Sequence, residues 1–197
     1  CAANQMGVKV GTVILPKLNE KEEAYCTLLD VLRNKGCNLM FMQRGNTVTI
    51  DELRIFCLHP YPDYEWKSAN DSSLVLKLNY HNFTGLFTGD LEEAGEKEII
   101  NKLSHVNYLK VAHHGSKGAS SEIFLEQVKP DVSVISCGKK NRYGHPHKET
   151  LKRLENIGSK VYRTDKEGAV SIEYQNGKWY LSLWKKESGK KRLLSDW

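Results

Sequence analysis

Five residues carry the chemistry this sequence offers. Asp90 ends the phrase LFTGD, His113 and His114 end LKVAHH, and His145 and His147 lie in NRYGHPH. Imidazole and carboxylate together bind zinc, manganese or iron. Each phrase follows an apolar, strand-like run, and sheets with helices on their faces gather ligands at the loops beyond their strand ends. If those ends share one edge, an aspartate and up to four histidines meet there. Gly115 and Ser116 add a second chemistry, because backbone N–H groups ahead of a helix start cradle an anion. Each part has an ordinary explanation by itself. Asp90 reads as a cap on the following helix, His113 or His114 as a turn histidine, and Gly144-His145-Pro146 as a rigid turn. The combination in this order is far more specific than any part of it. His59 beside Pro60, and His81 and His105 in surface turns, read as structural.

The elements that must place these residues follow from periodicity and punctuation. VKVGTVILP predicts a strand closed by Pro16. NEKEEAYCTLLDVLRNKG predicts a helix with Tyr25, Leu28, Leu29 and Leu32 on one face and Gly36 as its C-terminal cap. NLMFM, TVTI and LRIFCLHP, with a turn at RGN, predict an antiparallel meander. SSLVLKLNY and FTGLFT predict a hairpin turning at His81-Asn82. From there strands and helices alternate: a helix over LEEAGEKEIINKL, a strand over YLKVA, a helix over SSEIFLEQV with Ser120 as its N-cap. A strand over VSVISC, a helix over KETLKRLENIG ending at Gly158, and a strand over KVYRT come next. AVSIEYQNGKWYLSLW closes the pattern as a hairpin around Asn176-Gly177. The sum is an α/β (α+β sandwich) class with helices packed outside sheets.

Composition narrows the function classes. In 197 residues, 40% hydrophobic and 27% charged, a packed core is expected and general disorder is not. No apolar run reaches the roughly 18 residues of a membrane span, and the first ten residues lack the pattern of a secretory signal. The net charge of +5 is uneven: GKKNRYGHPHK holds four Lys or Arg, and KKESGKKR holds five. Basic clusters attract polyanions. The second run reads as a solvated tail, residues 185–197, after a domain spanning 1–184. The five cysteines form no C-x-x-C pair, which argues against a disulfide framework and a cysteine zinc site. Cys26, Cys57 and Cys137 read as small buried apolar residues.

NDSSLVLKLNY…GLFTGDLEEAGE, LKVAHHGSKGASSEIF, VKPDVSVISCGKKNRYGHPHKETLKRL and VYRTDKEGAV resemble the second half of the metallo-β-lactamase-fold hydrolase domain of ComEC-type competence proteins. Those are bacterial DNA-uptake channel proteins with stand-alone relatives. The match runs in order from about Asn70 to Val170. It implies an αββα sandwich with a divalent metal, zinc or manganese, at one edge, and phosphodiesterase activity on DNA during uptake. It implies a parent protein at the bacterial plasma membrane that carries this part as a soluble domain. By motif, Asp90 would bridge two metal ions and act in catalysis. His113 would be the next ligand, ranked ahead of His114. His145 would face the substrate phosphate as a catalytic group. Ser116, Lys117, Lys139, Asn141 and Arg142 would bind substrate around it.

One departure from the family pattern is large. The family's D-x-G-Q-G-D turn and H-x-H-x-D-H motif do not occur; the sole His-x-His is His145-Pro146-His147. The expectation is a partial fold lacking its first strands and that loop, with the rest upstream of Cys1 or on another chain. Asp90 and His113 offer two ligands where zinc takes three or four, so metal should bind weakly or not at all and the chain alone should be inactive. Two alternatives stand beside the nuclease: a non-catalytic module binding DNA by charge, and a metallohydrolase of small phosphoesters.

Overall fold

A seven-stranded mixed sheet organises the computed structural model of the chain, which describes residues 9–18, 23–62, 68–185 and 188–194. The elements are β1 (Thr12–Pro16), α1 (Glu23–Asn34), β2 (Asn38–Met42), β3 (Thr47–Ile50), β4 (Leu53–His59), β5 (Val75–Tyr80) and β6 (Phe83–Phe87). Then come α2 (Glu93–Ile99), β7 (Tyr108–Lys110), α3 (Glu122–Val128), β8 (Val132–Ile135), α4 (Lys148–Asn156), β9 (Lys160–Arg163) and α5 (Thr164–Glu167). The chain closes with β10 (Ala169–Gln175), β11 (Lys178–Lys185) and β12 (Ser188–Leu194).

The large sheet runs β3-β4-β5-β6-β7-β8-β9. Its first four strands are antiparallel and its last four parallel. Connection length explains the switch. Short turns join antiparallel neighbours, whereas α2, α3 and α4 are the crossovers that parallel neighbours require. One face of the sheet is sealed by these helices: Leu86, Leu109 and Ile135 pack against Ile99, Leu125 and Leu154, all fully buried. The other face carries Phe83, Val132 and Val134 against Trp179, Leu181 and Leu183 of the three-stranded β10-β11-β12 sheet. Among the described residues no helix is long and apolar enough to cross a membrane.

Several sequence-based expectations need correcting. NLMFM does not join a meander; β2 pairs in parallel with β1 in a separate two-stranded sheet. Strand, helix and strand there form one β-α-β unit, whose crossover dictates parallel pairing. Leu28 is 42% exposed while Tyr25, Leu29 and Leu32 are buried, so the apolar face of α1 is narrower than its sequence suggests. The N-cap of α3 is Ser121, whose hydroxyl accepts from Phe124 N, one residue later than expected. Of the cysteines read as buried, Cys57 is; Cys26 and Cys137 are half-buried. The run assigned to a tail contains β12, paired antiparallel with β11 from Ser188 to Leu194. Residues 186, 187 and 195–197 of that run lie outside the described residues.

Candidate metal and phosphate centre

Backbone hydrogen bonds stitch the three signature turns together. His113 N donates to Gly89 O at 3.1 Å, joining the TGD turn to the histidine pair. His147 N donates to Gly115 O at 3.0 Å, joining that pair to the GHPH turn. Gly115, at φ +85°, lies so close to Pro146 that a Cβ would stand 2.6 Å from the proline Cβ. Gly89, at φ +56°, leaves 3.1 Å to the Ser73 Cβ, and Ser73 Oγ accepts from Asp90 N at 3.1 Å. The NDSS segment is thus the seat on which Asp90 rests.

Side chains then converge on one rim. Asp90 Oδ1 lies 3.7 Å from His114 Nε2. His114 Nδ1 donates to Ser136 O at 2.8 Å, leaving the Nε2 lone pair on the side of Asp90. A histidine that ligates metal almost always commits its other nitrogen in this way. His113 turns elsewhere, with Nδ1 3.2 Å from Glu92 Oε1 but off the direction of a hydrogen bond. Asn70 Nδ2 steadies the same carboxylate at 3.2 Å. It is therefore His114, not His113, that stands beside Asp90. His113 and His114 both hold left-handed backbone, at φ 46° and 53°, a region L-residues enter at a cost that often marks a functional turn.

The His145 ring lies 5.6 Å from that of His113, 6.4 Å from that of His114 and 4.9 Å from that of His147. Partial burial and the three neighbouring imidazoles hold its pKa below the ordinary value, with Asp90 opposing. His147 Nδ1 accepts from Lys117 N at 3.1 Å, which leaves its proton on Nε2. Behind the rim, Lys110 Nζ donates to Val111 O at 3.0 Å. Burial lowers its pKa, and the charge of Asp90 pulls the other way.

The turn holding the histidines is braced from both sides. Buried Glu96 of α2 accepts from the backbone N–H groups of Ser120 and of Ser121, the latter at 2.9 Å. Its pKa is raised by burial and pulled back by those donors and by Arg153. From α4, Thr150 Oγ1 donates to Ser116 O at 2.9 Å, and Arg153 donates to Lys117 O and Ala119 O at 3.0 and 2.8 Å. Ser136, the acceptor for His114, is anchored through its neighbour. Cys137 N donates to Thr164 Oγ1 and Cys137 O accepts from it, both at 2.9 Å.

The remaining predicted residues divide. Ser116 Oγ accepts from Gly118 N at 3.4 Å, a contact within its own turn. Lys117 lines a separate pocket of about 270 Å³ with Glu93, Glu122 and Arg153. Asn141 spends its amide inside its loop, donating to Gly138 O and His145 O and accepting from His145 N; it shapes the approach without facing it. Lys139, Lys140 and Arg142 are exposed on that loop. Glu92, Glu96, Lys110, Thr150 and Arg153 were missed, because in sequence they resemble the solvated polar and charged residues of ordinary helices and strands.

Whether a metal fits is decided by the donor count. Two donors bound to zinc at 2.0–2.2 Å in tetrahedral geometry stand about 3.4 Å apart, close to the 3.7 Å of Asp90 and His114. Among the described residues, however, no group of three or more His, Cys, Asp or Glu side chains is arranged to hold an ion. The pair offers two donors, and a metal does not fit these residues alone.

No protein-family model matches the chain. It is 37% identical over 171 residues to ComE operon protein 3 of Bacillus subtilis, covering 85% of this chain and 22% of that protein. It is 36% identical over 111 residues to competence protein ComA of Neisseria gonorrhoeae, and 35% over 108 to recombination protein 2 of Haemophilus influenzae. Those matches cover 55% of the chain and 16% and 14% of the relatives. The chain therefore spans less than a quarter of the length of each of these relatives. Among solved structures, CmlA, a diiron β-hydroxylase from Streptomyces venezuelae, superposes with a TM-score of 0.54 at 11% identity, over 78% of this chain and 38% of its own. That likeness concerns the fold alone.

Proposed function

Because the chain is a metallo-β-lactamase-fold domain of the ComEC type, we propose that it supplies the later half of a divalent-metal centre hydrolysing phosphodiester bonds in DNA. The observation carrying this reading is the Asp90–His114 pair, with the far nitrogen of His114 tied to Ser136 O. Asp90 and His114 are the ligands this chain contributes, to zinc or manganese. Glu92 and His113 form the flank that keeps the turn in place. His145, its pKa held below the ordinary value by partial burial and the neighbouring imidazoles, meets the phosphate or the departing oxygen. Lys139, Lys140 and Arg142 attract the polyanion.

The donor deficit belongs to the proposal. A further segment, of H-x-H-x-D-H type, supplies the remaining ligands, and the chain by itself has little or no hydrolytic activity. The complete protein works in DNA uptake at the bacterial membrane. The test is a polypeptide in which such a segment precedes this chain, given manganese or zinc. It should cut a DNA oligonucleotide and bis(p-nitrophenyl) phosphate. Asp90→Ala should lower the rate by more than the roughly 10–100-fold typical of losing an outer-sphere partner. A completed polypeptide that leaves both substrates intact would overturn the reading.

A second reading has its own support. The absence of a three-donor group among the described residues also suits a module that holds DNA by charge alone. Steeply salt-dependent DNA binding, with no metal bound by the completed polypeptide, would favour it.

A further inference from the structure

Tyr143 has no part in the chemistry above, yet it stands at the mouth of the site. The ring is 62% exposed and joins no core. It lies nearly parallel to the His145 ring, at 24° with centroids 5.8 Å apart. The Arg142 guanidinium sits 5.0 Å from the ring centroid and donates to the Tyr143 hydroxyl at 2.8 Å. The loop beneath is held by Asn141, which bonds Gly138 O on one side and both N and O of His145 on the other. An exposed aromatic ring is thus presented on a braced loop, one ring away from the centre and among exposed Lys139, Lys140 and Arg142.

We infer that Tyr143 is a stacking platform for a nucleobase next to the phosphate at His145, with Arg142 leaving the ring to pair with a backbone phosphate. The inference rests on the polynucleotide reading above and deepens it. Rings that stack bases among basic side chains recur in proteins holding single strands, and they tolerate any sequence because every base has a π-face. A base still paired in a duplex has no free face for the ring. The platform therefore selects an unstacked strand. It also distinguishes a polynucleotide from a small phosphodiester, which brings no base.

The probes are fluorescent oligothymidylate and an abasic oligomer of equal length, binding to the full chain at one salt concentration. Oligothymidylate should bind the parent chain about 5- to 100-fold more tightly than the abasic oligomer. Tyr143→Ala should erase that difference while leaving abasic binding, which reports the lysines, unchanged; Tyr143→Phe should preserve it. At this exposed position either variant folds as the parent does, and an unchanged unfolding midpoint verifies this. Equal binding of the two oligomers by the parent chain, or full preference in Tyr143→Ala, overturns the platform and leaves the polynucleotide reading standing. Binding of neither oligomer overturns both.

Discussion

The β1-α1-β2 unit and the rim of signature turns are built on different principles. The first is a local assembly. Leu15, Tyr25, Leu29 and Leu32 form its own small core, while Leu28, Val31, Met40 and Phe41 remain 38–42% exposed. Its strands are joined through one crossover helix, and it contributes none of the site residues. The rim is the opposite. It is tied by polar bonds between segments far apart in sequence, such as Ser121 N to Glu96 and Thr150 to Ser116. A local core tolerates side-chain variation so long as volume is kept. A polar frame does not, since each lost partner leaves a buried group unsatisfied.

Gly115→Ala should break the comparison hardest. It adds backbone strain to a collision with Pro146, together costing about 2–6 kcal/mol, measured by urea unfolding. Leu29→Ala should cost about 2–5 kcal/mol, yet leave oligonucleotide binding intact in the chain that stays folded. Loss of binding there would mean the two regions are not separable. Glu96→Gln replaces one acceptor oxygen with a donor facing a buried N–H, for about 1–3 kcal/mol. It also sharpens the comparison through pH. Because the folded pKa of Glu96 is raised, its contribution is fully present below the ordinary carboxylate value and declines as pH rises through the folded value. Urea midpoints taken across that window should fall with pH in the parent and lose this component in the variant. Leu28→Ala, at a 42% exposed position, should change stability by about 0.5 kcal/mol or less.

Much of the architecture was legible because its signals are local. The β5–β6 hairpin at His81-Asn82 and the β10–β11 hairpin at Asn176-Gly177 sit where their turn residues indicate. The convergence of the TGD, HHG and GHPH turns could be anticipated from strand ends alone. The preference between His113 and His114 could not. It depends on two successive left-handed residues, whose backbone sets the directions in which the two rings leave the turn. Glu96 and Arg153 escaped for another reason: periodicity places charges on helices, but only packing decides which of them turn inward. The parallel pairing of β1 with β2 was available in the strand-helix-strand order and was obscured by the short strands that follow.

Two of the hydrogen bonds that link the turns, His113 N to Gly89 O and His147 N to Gly115 O, involve main-chain atoms alone. Replacing every candidate donor side chain would leave these two main-chain links in place, while the bonds made by His114 Nδ1 and His147 Nδ1 would be lost. Such a blank copy would retain the main-chain contour of the rim and would separate, in a binding assay, what the frame contributes from what its side chains contribute. It also means that descendants of this scaffold are free to exchange one reactive set for another without redrawing the frame.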